Sequence, residues 1–142
     1  MWYLIYTTVD INEFLILEKR ISQIVSTIEV TFAFDVIKTK HAEQRQDFAS
    51  RGLETFNDTA ISNAEMSEFV NWFKKEISQS IVSGDIVDQT EFVIRSKDRN
   101  LAMVIIGEEV SFTYWKLVVK TVFRESDEHS LYTRPGQLIL EK

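Results

Sequence analysis

The sequence predicts an α+β fold, with helices packed on one face of an antiparallel meander sheet. Two observations carry this prediction. Apolar residues recur at helical spacing mainly before Gly84, and alternation of the strand type dominates after it. The strands after Gly84 also follow one another through short polar turns, the pattern of antiparallel neighbours. With 142 residues, 44% of them hydrophobic, the chain fits one domain plus an arm. The arm is assigned to residues 1–35 and the compact domain to residues 36–142.

Residues 2–9 read as a strand of aromatic and β-branched residues. Asp10 then reads as an N-cap, with Glu13 three positions on and Val9 and Phe14 as a hydrophobic staple. Phe14, Leu17, Ile21, Ile24 and Ile28 predict a helix over roughly 11–27. Burying the first four of these side chains is worth on the order of 6–12 kcal/mol before entropy, so the arm is expected to dock on the domain. The stretch EVTFAFDVI follows as a strand, with Val30, Phe32 and Phe34 on one face.

Residues 39–51 favour a short surface helix ending at Gly52, and residues 53–61 read as a loop. Ser62 and Glu65 form a capping box flanked by Ile61 and Met66. Met66, Phe69, Val70, Phe73, Ile77 and Ile81 then mark one long amphipathic helix that stops near Gly84. Strands are predicted over 92–96, 101–107 and 110–124, with SKDRN and GEE as the turns between them. A last strand, 137–141, follows the only proline, Pro135.

The net charge of −6 argues against indiscriminate binding of nucleic acid. The charge is uneven, however: residues 38–52 and 90–124 each carry a net +2. There is no cysteine, which excludes disulfides and thiol nucleophiles. The apolar N-terminus lacks the basic region and cleavage site of a leader peptide, and no apolar run is long enough to span a membrane. A cytoplasmic location without membrane association is expected.

The chemistry concentrates in the segment TKHAEQRQ. His41 and Arg45 stand at i and i+4, on one face of the predicted helix. An imidazole moves protons near neutral pH, and a guanidinium beside it holds a phosphate oxygen pair. The same spacing also fits a solvated helix face with an incidental histidine. In the longest strand, Lys116, Lys120 and Arg124 alternate on one face, and Arg95 alternates likewise in its own strand. A sheet face with Arg95, Lys120 and Arg124 can receive a phosphate backbone, or it can simply be a lysine-rich outer face. Tyr132 beside Arg134 offers a stacking surface for a base, or else a turn anchored by Pro135 and Gly136. His129 lies among Glu125, Asp127 and Glu128, but the irregular spacing and single histidine argue for a solvated acidic loop without metal.

The segment TKHAEQRQDFASRG resembles the H-A-x-x-R…R-G opening of small bacterial and phage proteins. These are grouped with the barnase–EndoU–colicin–RelE class of ribonuclease toxins. The basic strands FVIRSKDRNLAMVII and KLVVKTVFR and the tail TRPGQLILE are also similar to such members, so the likeness covers roughly residues 36–142. The resemblance implies metal-independent, cofactor-free RNA cleavage in the host-cell cytoplasm. In it the 2′-hydroxyl attacks the adjacent phosphate, with His41 as acid or base. Arg45 would steady the charge; the reading of the strand faces and of the tail adds Lys120 to that role and Arg95, Arg124, Tyr132 and Arg134 to substrate binding. The alternative is a non-catalytic phage protein of the same fold that binds a protein partner or serves as a structural component.

Overall fold

A computed structural model describes residues 11–27, 31–47, 60–127 and 129–142. The chain divides into two units, residues 1–30 and 31–142. The boundary therefore falls before the strand that the sequence reading had divided at residue 35. The expected strand 2–9, the Asp10 cap, Val30, the Gly52 helix end and most of the loop 53–61 lie outside the described residues.

In the first unit, helix α1 spans Ile11–Thr27. Phe14 and Leu17, expected to be buried, are exposed, as are Ile11, Leu15 and Ile16. The side chains of Ile21 and Ile24 are outside the described set.

The second unit is an α+β body. Its elements are β1 (Ala33–Lys38), α2 (Lys40–Asp47), α3 (Asn63–Trp72), α4 (Lys74–Ser83), β2 (Thr90–Ser96), β3 (Leu101–Ser111), β4 (Tyr114–Arg124) and β5 (Leu138–Glu141). The strand order is β1-β4-β3-β2-β5. The centre, β2-β3-β4, is the expected antiparallel meander. Both edges depart from it: β1 lies parallel to β4, and β5 lies parallel to β2. The sheet is therefore mixed. The helix α2 and the pair α3–α4 separate β1 from the meander, and the segment 125–137 separates β5 from β4, leaving enough chain to return in the parallel sense.

Cross-strand partners point to the same side of a sheet, so the register defines two faces. The inner face carries Phe92, Ile94, Met103, Ile105, Leu117, Val119 and Val122, all buried. Helices α3 and α4 bury Met66, Phe69, Val70, Ile77 and Ile81, with Phe73 between them, to complete this core. The outer face carries Glu91, Val93, Arg95, Ala102, Val104, Thr121 and Phe123. Helix α2 meets this second face, since Arg45 sits over the Phe123 ring. The helices are thus not confined to one side of the sheet.

Ser62 caps α3 as expected, its side chain accepting from Glu65 N at 3.1 Å. The single long helix is interrupted at Phe73, whose N–H turns back to Val70 O. Lys142 Nζ donates to Trp72 O at 2.7 Å, and a donor inserted at the ladder is a recognised cause of such a break. Gly84, at φ 84°, ends α4 in the left-handed conformation.

The predicted GEE turn is not a turn. β3 runs on through Ser111, and the chain reverses at Phe112 and Thr113. Gly107 is needed for close approach: a Cβ there would meet Ile86 Cγ2 at 3.2 Å and the Trp115 ring at 3.5 Å.

At the β1–β4 edge, the Tyr114 hydroxyl donates to Asp35. That bond, then burial, then the Asp35 charge push the phenol above its usual value. The raised value favours the neutral phenol in the folded state. Its stabilisation is therefore present at neutral pH and is lost as pH rises through the raised pKa. An absorbance titration should show Tyr114 ionising above the usual phenol value of about 10, with that step absent in Tyr114→Phe. Because the two edge strands are each held on one side only, amide exchange is expected to be faster in β1 and β5 than in β3.

Candidate functional site

β4 does not alternate regularly along its length. Val119 pairs with Ile105 and Thr121 with Val104, so Lys120 is an extra residue in a bulge. Before the bulge the odd residues Trp115, Leu117 and Val119 face inward; after it the even residue Val122 does. The bulge breaks the one-face cation row that strict alternation predicts. Arg124 falls on the inner side. There it makes a paired contact to Glu65 of α3, at 2.7 and 3.0 Å, and also donates to Ala60 O. It therefore holds α3 on the sheet and does not stand on the outer face where alternation places it. Arg124→Ala should lower the unfolding free energy by about 1–3 kcal/mol in urea titration, leaving the outer face unchanged.

The bulge is also where α2 begins. Thr39 caps that helix, its hydroxyl accepting from Ala42 N at 3.1 Å and donating to Lys120 O at 3.2 Å. Thr39 N also donates to Val119 O at 3.1 Å. These bonds, from both the hydroxyl and the backbone of Thr39, set the first turn of α2, which carries His41, against the Lys120 bulge. On the other side, Arg134 to Gln137 form a turn with Pro135 at its second position and Gly136 at φ 78° at its third. Gln137 accepts from Arg134 N at 3.0 Å and donates to Glu91 at 3.3 Å, tying this turn to β2.

These elements enclose a cleft of about 260 Å³ floored by Val104 and Thr121. His41 enters from α2, Glu91 from β2, Lys120 from the bulge, and Tyr132 and Arg134 from the segment before β5. Tyr132 is 81% exposed, so its ring is open to a stacking partner. Glu91 balances one of the two cations, Lys120 and Arg134, so the cleft carries a net positive charge. Lys120 Nζ lies 3.0 Å from Glu91 Oε2, with the side chains 42% and 26% exposed. An ion pair this accessible is worth only about 0–1 kcal/mol, so an anion can compete for the lysine.

Four residues singled out in the sequence thus share one cleft: His41, Lys120, Tyr132 and Arg134. Arg45 does not line it; its guanidinium lies 5.8 Å from the Phe123 ring centre, although it is one helical turn from His41. Arg95 also lies elsewhere. It bonds Glu125 at 2.8 Å and Leu131 O at 2.9 Å, with the pair only 16% and 11% exposed. Removing one partner from so enclosed a pair costs about 3–5 kcal/mol, so Arg95 clamps the 125–131 loop rather than offering a free cation. It borders a second, polar cavity of about 460 Å³ with Lys97, Asn100 and Asp127. His129 is half-buried, its N–H turned to Ser126. Among the described residues no group of three or more His, Asp or Glu could hold a metal ion.

Sequence reasoning missed Glu91 and Gln137. Glu91 was legible in principle, since it stands two and four residues before Val93 and Arg95 on the same strand face. Gln137 gave no such signal, because its role depends on a turn that returns to β2. Among the described residues no helix is long and apolar enough to cross a membrane. Comparison with protein-family models, curated proteins and solved structures finds no match to this chain.

Proposed function

We propose that this protein is a metal-independent endoribonuclease acting on RNA phosphodiesters in the cytoplasm, related to the ribonuclease-toxin class its opening motif resembles. The observation that carries this reading is the convergence of His41, Glu91, Lys120, Tyr132 and Arg134 on one cationic cleft. The two groups able to move a proton, an imidazole and a carboxylate, come from different elements and face the same space. One takes the proton of the 2′-hydroxyl as it attacks phosphorus; the other protonates the departing 5′-oxygen. Lys120 and Arg134 steady the charge that builds on the phosphorane oxygens. Tyr132 stacks on a neighbouring base.

The test is cleavage of single-stranded RNA in EDTA, with product ends analysed. A 2′,3′-cyclic phosphate end is expected, and an oligonucleotide with a deoxyribose at the scissile position should resist. Failure to cleave several RNAs between pH 5 and 9 would transfer the assignment to the second reading. That reading, a non-catalytic protein that binds a protein partner, draws on a different surface. Val110 and Phe112 are exposed at the β3–β4 hairpin end, next to Glu108 and Glu109.

A further inference from the structure

Thr39 joins the two elements that supply the chemistry of the cleft. Its hydroxyl uses both of its capacities: it accepts from Ala42 N in the first turn of α2 and donates to Lys120 O in the β4 bulge. Its backbone adds two further links, N to Val119 O at 3.1 Å and O from Glu43 N at 3.0 Å. The backbone links would survive any side-chain change; the hydroxyl bridge would not. That bridge spans the junction between the residue preceding Lys40–His41 and the carbonyl of Lys120 itself. A bulge is a locally unpaired stretch of strand, so its carbonyl needs a partner and its direction is set by whichever donor it finds. Here that donor is the same atom that starts the histidine-bearing helix.

We propose that Thr39 is a positioning residue, one whose hydroxyl fixes the His41 ring relative to the Lys120 ammonium. The inference rests on the RNA-cleavage reading of the cleft, in which both side chains must meet one phosphate. Small errors in such an arrangement are costly: a displacement of about 1 Å can reduce a rate by about a hundredfold. Substrate binding is less sensitive, because the turn that carries Arg134 is held through Gln137 and Glu91 and not through Thr39.

The experiment compares Thr39→Val, which keeps the branched shape and removes the hydroxyl, with Thr39→Ser, which keeps it. Ser62→Ala is the control, because it removes an equivalent cap from α3. Thr39→Val is expected to lower kcat by about tenfold to a hundredfold with KM changed less than about twofold. Thr39→Ser should restore kcat, and Ser62→Ala should leave it unchanged. A kcat within twofold of wild type in Thr39→Val, or equal losses in Thr39→Val and Ser62→Ala, overturns the proposal. A readout without RNA separates this outcome from failure of the ribonuclease reading. The NMR signals of the His41 ring should shift on Lys120→Met in the wild-type background and stay unmoved by that change in Thr39→Val. The same shift in both backgrounds overturns the coupling, whatever the RNA assay shows. Wild-type protein that cleaves no RNA while the shifts behave as expected overturns the ribonuclease reading and leaves the coupling in place.

Discussion

Replacing His41 by alanine is expected, on the proposed ribonuclease reading, to reduce RNA cleavage by about 10²–10⁴-fold, the range that a positioned proton-transfer group contributes. His41 is exposed on α2 and makes no contribution to either sheet face, so the variant should keep its fold and its thermal transition. Glu91→Gln should cost a similar factor, since it removes the second proton-transfer group and keeps the shape. If the two groups act as acid and base, the pH–rate profile has two limbs. One disappears in the His41 variant and the other in the Glu91 variant. Loss of activity with both limbs retained would mean that His41 acts through binding and not through proton transfer. Single-turnover rates at saturating RNA separate those cases, because they report the chemical step without dissociation.

The largest expected change in stability is at Phe73. Its side chain is fully buried, and its ring meets those of Phe69 and Trp72 with centroids 5.2 and 5.4 Å away. The Lys142 ammonium lies 5.5 Å from the same ring. Phe73→Ala removes most of that packing and leaves a cavity at the break between α3 and α4. A loss of about 3–5 kcal/mol is expected from urea denaturation, a large share of the 5–15 kcal/mol typical of a whole domain. Phe73→Leu should lose markedly less, because it refills much of the volume. Equal losses in the two variants would show that the ring contacts, and not the volume, hold the break together.

Local chemistry was the legible part of this sequence. The α+β class followed from the change of period at Gly84, and the Ser62 cap and the Gly84 stop depend only on residues within a turn of them. The errors share a cause, which is dependence on distant chain. Gly107 reads as a turn residue until Ile86 and Trp115 are seen to crowd it. Arg124 reads as an outer-face cation because alternation counted through Lys120 misses the bulge there. The parallel edges were not legible, because no local pattern says that Leu138 lies beside Phe92 or Ala33 beside Tyr114. Of the cleft, single residues stood out by type: a rare histidine, a strand lysine, and an aromatic next to an arginine. Their meeting point depends on the bulge, the Thr39 cap and the Pro135–Gly136 turn acting together. Arg45 shows the limit of spacing arguments. It has the helical relation to His41 that was expected, and its guanidinium nonetheless lies over Phe123.

The parallel edges also bear on the order in which the body assembles. The hairpins β2–β3 and β3–β4 close short loops and can form early, whereas β1 and β5 must wait for long segments to return. The cleft is divided along the same line. Glu91 and Lys120 belong to the early meander; His41 arrives behind β1, and Tyr132 and Arg134 arrive just ahead of β5. A chain still folding thus carries an ion pair on a bare sheet with neither its imidazole nor its stacking ring in place. If the cleft is the ribonuclease site proposed for it, reactivity toward a phosphodiester begins only with the last strands to dock, and loosening of either edge silences it before the core gives way.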